Sequence, residues 1–193
     1  VRGGLESESE RSLLQVGAPG PALKVFEDLV ERDPDDAVAH SGLAESEFAL
    51  AHFLTARTHF RRALRIDPRL THLEPRAALC DRIIELDPTV RGLGRVTRHE
   101  RSRALLTRVV ERVEACVPAV GPPTPDAPRL DPDADALRLA AMPWLDAGEE
   151  ATDEAADRNV TATEELWTAY RQACDPTPAP DDLLALLMST LAS

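Results

Sequence analysis

A chain of 193 residues with 22 basic and 34 acidic side chains carries a net charge of −12, which repels phosphates and excludes nucleic acid as the partner. No run approaches the roughly 18 consecutive apolar residues of a spanning helix, so no direct membrane span is expected. Aromatics are only 4% of the chain, Ala, Leu and Arg are plentiful and alternating Val, Ile and Thr runs are missing, so the expected class is all-α.

The chain opens at Val1 without a charged-then-apolar leader, which is either lacking or already removed. Leu5 to Val16 reads as a first helix, acidic and sparse in apolar groups, with Gly17 at the turn after it. Next comes "GPALKVFEDLVERDP" (Gly20 to Pro34), which returns as "LTARTHFRRALRIDP" (Leu54 to Pro68). Ala22 recurs as Ala56, Phe26 as Phe60, Val30 as Leu64, Asp33 as Asp67 and Pro34 as Pro68, always 34 residues on. The apolar steps of three and four put these groups on one helical face, and each Asp-Pro stops its helix. Between the copies, "DDAVAHSGLAESEFALAHF" reads as a helix capped by Asp35 or Asp36, with Leu43, Ala44, Phe48 and Ala51 on its apolar face.

The register then breaks, since Pro88 follows Pro68 by only 20 residues. Leu73 to Leu86 reads as a half-repeat, with Ala77, Cys80, Ile83 and Ile84 inward. A long helix follows, about Val96 to Val117, striped by Leu105, Leu106, Val109, Val110, Val113 and Cys116, and it is expected to close the half-repeat. Six prolines between Pro118 and Pro132 make a linker, so the division expected is 1–117, a linker over 118–130, and a helical extension over 131–193. In the extension Asp133 to Met142 is a short helix stopped by Pro143. Trp144 and Leu145 anchor the chain to the repeats, and Ala147 to Arg158 is acidic and exposed. Thr161 to Cys174 starts with a capping box, Thr161 and Glu164, and carries Leu166, Trp167, Tyr170 and Ala173 on its stripe. Ala179 to Ala192, capped by Asp181 or Asp182, is apolar on more than one face and is expected to lie along the end of the repeats. Residues 118–193 hold 4 basic and 15 acidic side chains, which read first as a solvated surface and alternatively as an acidic docking face.

The repeat resembles the tetratricopeptide repeat (TPR). The second copy matches that pattern at Leu43, Ala44, Ala56, Phe60, Ala63 and Pro68, and the first at Gly17, Ala22, Phe26 and Pro34. Glu47 stands where the family usually has Tyr, and Phe48 beside it is the substitute for that packing. The resemblance implies a short solenoid of helical hairpins with a helical C-terminal extension. It also implies a non-enzymatic scaffold or adaptor, whose groove takes another protein or a peptide segment. That groove would be lined around Arg11, Leu14, Gln15, Ser41, Glu45, Phe48 and Ala49. The alternative is a permanent subunit of a larger assembly, held through the apolar helix of Leu183 to Leu191 and its terminal faces.

Nothing in the sequence points to catalysis. No nucleophile elbow, phosphate-cradling Gly loop or His-Glu-x-x-His occurs, so no enzyme, cofactor or metal is expected. His52 and His59 read as surface imidazoles, and Glu149/Glu150 and Asp181/Asp182 as capping and solvation. Asn159 to Thr161 matches a glycosylation acceptor but reads as a helix start. Cys116 and Cys174 each end an expected helix. In a reducing, cytoplasmic setting they are small apolar groups. If the stripe of Trp167 and Tyr170 docks roughly parallel on Val109, Val113 and Cys116, the two helix ends meet, and in an extracytoplasmic setting the cysteines can bridge, leaving Cys80 as a buried thiol.

Overall fold

Three Asp-Pro pairs follow helices in the first half of the chain, and all three close the same turn. The carboxylate of Asp33 accepts the backbone N–H of Asp35 at 3.1 Å, that of Asp67 the N–H of Arg69 at 3.0 Å, and that of Asp87 the N–H of Thr89 at 2.7 Å. Each aspartate mimics a turn with its side chain while the proline forbids another helical residue. This computed structural model describes residues 19–117, 128–145, 148–174 and 177–191. The fold is all-α, with no strand among those residues.

The breaks delimit α1 (Pro19–Arg32), α2 (Ala37–Ala49), α3 (Phe53–Ile66) and, after a 3-10 turn at Thr71–Leu73, α4 (Glu74–Leu86). Then come α5 (Arg95–Cys116), α6 (Pro132–Ala141) with a 3-10 turn at Met142–Leu145, α7 (Asp153–Cys174) and α8 (Leu183–Leu191). The expected helix of Leu5 to Val16 and most of the proline-rich stretch lie outside the described residues. The described residues form two compact units, which divide between residues 84 and 85.

In the N-terminal unit α1 packs on α2 and α2 on α3. Asp36 caps α2, accepting from the amides of Val38 and Ala39 at 2.8 and 3.0 Å. Positions 34 apart share an environment: Ala22 and Ala56 are fully buried, and Phe26 and Phe60 are 2% and 0% exposed. Phe26 lies directly against Gly42 of α2, so a Cβ there would overlap its ring. Gly42→Ala therefore tests packing against propensity. Helix propensity alone favours Ala by about 1 kcal/mol, whereas overpacking a buried ring costs roughly 1–3 kcal/mol. The variant is expected to melt lower than the wild type; an unchanged or higher melting temperature would show that the ring yields.

Ala51, expected on the apolar face of α2, instead terminates that helix. Its φ is 62°, its N–H reaches the Phe48 carbonyl at 3.0 Å, and the N–H of His52 reaches the Glu47 carbonyl at 2.9 Å. This is a Schellman ending with Ala where Gly is usual.

The C-terminal unit is built on α5 and α7. Arg98 meets Asp157, Ser102 meets Asn159 and Cys116 is bonded to Cys174, at separations of 59, 57 and 58 residues. A nearly constant offset means that the two 22-residue helices run side by side in the same direction. Leu105, Leu106, Val109, Val113 and Leu166 are buried in this unit. The long helix thus packs on the helix that ends at Cys174, in the parallel docking expected of the two stripes, and the division observed falls at 84, where 117 is expected.

Several details of the extension also differ. The helix does not begin at Thr161: Thr152 caps α7, its hydroxyl accepting the Ala155 amide at 3.0 Å, and Thr161 is mid-helix. Acidic Asp153 and Glu154 in the first turn favour that start through the helix dipole. The stretch expected to be exposed has Ala155 and Ala156 buried. Pro143 lies within the 3-10 turn that extends α6 instead of stopping it. Asp182 caps α8 through the amides of Leu184 and Ala185 at 3.0 and 3.1 Å and pairs with Arg112 of α5. Helix α8 packs on α7, within its own unit.

Candidate functional site

Helix α2 turns one stripe away from the core. Val38, Ser41, Glu45 and Ala49 recur at steps of three and four; Val38 and Ala49 are exposed, Ser41 and Glu45 half-buried. Three of the residues assigned to the groove by resemblance, Arg11, Leu14 and Gln15, lie outside the described residues. Phe48 faces inward instead. It is 7% exposed, with its ring edge-on to Phe53 and Phe60 at centroid distances of 5.2 and 6.4 Å. It is core because α2 presents Phe48 toward α3, one position round from Ala49. Glu45 is tied to Arg76 of α4 at 3.0 Å, and that guanidinium also lies 4.6 Å over the Phe48 ring. Burial pushes the Glu45 carboxyl above its ordinary value, against the pull of Arg76 and His72. Glu45→Arg would oppose two guanidinium groups, so it tests this ion pair more than the groove.

The seam between α2 and α3 carries two polar rungs that sequence spacing on one helix does not show. His40 Nδ1 meets His59 Nδ1 at 3.0 Å, and His52 Nδ1 meets Glu47 at 2.6 Å. His52 is exposed as expected; His59 is not an isolated surface imidazole. His40 is buried and its Nε2 lies 3.0 Å from the Pro34 carbonyl, so Nε2–H donates there and Nδ1 accepts the proton of His59. The rings' centroids are 5.2 Å apart, so the two Nδ1 atoms meet nearly head-on, with room for one proton between them. Burial first, and His40 second, lower the pKa of His59 below its ordinary 6.5, with Glu47 pulling weakly upward.

A pH dependence follows with a definite sign. The folded state holds fewer protons at His59 than the unfolded state does, so its contribution is full above the ordinary histidine value and is lost as pH falls through it. The wild type should melt lower at pH 5.5 than at pH 7.5, with a flatter profile for His59→Gln over about that range. Equal slopes for both proteins would remove the pair from the account. Glu45, pushed up by burial, acts in the opposite sense but is common to both proteins, and the carboxylates of Glu149 and Asp182 lie outside this window. Burial pushes both up, but their arginine partners prevail and hold both below their ordinary values, so they lose stability only in stronger acid.

The C-terminal unit holds a second polar group. His99 is 3% exposed and its Nε2 approaches Glu149 at 3.4 Å; Glu149 also binds Arg158, whose guanidinium lies 4.3 Å over the Trp144 ring. Glu149 is thus a fastener, not a solvation charge, and Trp144 anchors to α7 inside this unit. Fully buried Asn159 meets Ser102 at 3.4 Å, which withdraws the glycosylation motif from solvent. The Ser102 hydroxyl donates to the His99 carbonyl at 2.9 Å, away from an imidazole, so the two are not a nucleophile and its base.

Cys80 is a buried free thiol, pushed up to about 11 by burial first and by Asp81, which leaves it little thiolate. Among the described residues no group of three or more His, Cys, Asp or Glu could hold a metal ion. None of the helices among those residues is long and apolar enough to cross a membrane. No protein-family model, curated protein or solved structure matches the chain.

Proposed function

We propose that the N-terminal unit is a TPR-like interaction module that takes a segment of another protein along the outward stripe of α2, without catalysis. The observation that carries this reading is the equivalence of the two copies. Ala22 and Ala56, Phe26 and Phe60, and the turns at Asp33 and Asp67 have matching burial and hydrogen bonding, while α2 between them keeps Val38, Ser41 and Ala49 out of the core. A helix whose inner face is satisfied by its neighbours leaves its outer face for a partner. The alternative of a permanent subunit held through α8 has less support. Leu184, Leu187 and Met188 are buried within the unit, and no α8 side chain is among the exposed large apolar residues.

The experiment is affinity capture from the source cells with a paired variant. Ser41→Arg/Ala49→Arg should keep the melting temperature nearly unchanged, because both sites lie outside the core, and should lose the captured partner. Equal capture by wild type and variant would end the reading of this face.

A further inference from the structure

We propose that a groove between α6 and α7 binds a basic, amphipathic segment of another protein. The groove has a volume of about 390 Å³. Its floor is apolar: Ala134 and Leu137 are half-buried on α6 and Ala169 is buried on α7. Its rim is made by Asp133 of α6 and by Glu164 and Glu165 of α7. None of these three carboxylates is in an ion pair among the described residues. The acid beside them, Asp131, is occupied as the cap of α6, accepting from Asp133 and Ala134 at 3.0 and 2.9 Å. Arg138, the nearby cation on α6, turns to Asp135 and Glu114 and leaves the rim negative.

Apolar floor and acidic rim together select the occupant by charge complementarity. An acidic partner would be repelled, and a purely apolar one would leave three carboxylates desolvated without counterions. A segment with leucine-sized side chains at helical spacing and Lys or Arg between them satisfies both. A small polyamine would meet the rim but leave the floor unused. The groove lies wholly in the C-terminal unit and does not depend on the reading of α2.

The test uses the 193-residue, disulfide-intact chain and a short labelled peptide with leucines at helical spacing and arginines between them, followed by fluorescence anisotropy. Asp133→Asn/Glu164→Gln/Glu165→Gln should weaken binding roughly tenfold, and added salt should weaken binding to the wild type. The control, Glu27→Gln/Asp28→Asn/Glu31→Gln, removes the same charge from exposed positions of α1 and should leave affinity within about twofold. Equal losses in the two triple variants would reduce the effect to net charge and overturn the proposal. So would spermidine competing as strongly as the peptide, since the floor would then contribute nothing.

Discussion

Replacing Phe60 with alanine should lower the stability of the N-terminal unit by about 3–5 kcal/mol, the range for a buried phenylalanine. Its ring is fully buried and lies edge-on to Phe48. The site cannot easily close over the cavity left behind. One turn away on either side are Ala56 and Ala63, both fully buried, and neither has a side chain that can swing inward. Gly42 and Phe26 show how closely neighbouring helices already approach. Urea unfolding followed by far-ultraviolet circular dichroism measures the effect. A loss below about 1 kcal/mol would mean that the repeat register assigned to α3 is wrong.

Opening the bond between Cys116 and Cys174 should cost the C-terminal unit about 4 kcal/mol in the chain-entropy account of a 58-residue loop. The Cα atoms lie 6.3 Å apart, within the usual span of a disulfide. Because α5 and α7 run parallel, their C-terminal ends carry partial charges of the same sign, and the bond holds together two ends that the helix dipoles push apart. Cys116→Ser/Cys174→Ser, unfolded in urea and followed by tryptophan fluorescence, reads this unit, since Trp144 and Trp167 both belong to it. A change below about 1 kcal/mol would mean that packing alone closes the loop. Cys80 serves as the internal control: buried and little ionised, it should resist alkylation until the chain unfolds. A non-reduced digest of protein from its own compartment should show the Cys116 and Cys174 peptides linked; a free Cys116 peptide would remove the bond from the account.

Local punctuation was the most legible part of the fold. Asp-Pro stops a helix whatever surrounds it, and the 34-residue period marked Ala22, Phe26, Ala56 and Phe60 as core before any packing was known. The start of α7 was hidden by an imitation: Thr161 and Glu164 have the spacing of a capping box, whereas Thr152, followed by Asp153 and Glu154, is the one that caps. Helix α5 shows another limit. A stripe such as Leu105, Val109 and Val113 served two expected partners, the half-repeat and the helix that ends at Cys174, and contacts nearly 60 residues away decide for the second. The pairing of His40 with His59 was invisible for the same reason, because spacing along one helix does not reveal a rung across a hairpin. Ala51 carries no sequence signal for a positive φ, since the motif that it completes usually ends in glycine.

The bond between Cys116 and Cys174 also changes the connectivity of the polypeptide. The stretch between the two cysteines, which includes the proline-rich segment, α6 and nearly all of α7, becomes a covalent ring with two tails. A protease that cuts this ring once releases nothing. The product keeps both tails on one molecule, differs in mass by only one water, and separates into two fragments only on reduction. Proteolytic sensitivity of the proline-rich segment would therefore not detach the N-terminal unit from the acidic groove, whereas a cut before Cys116 would.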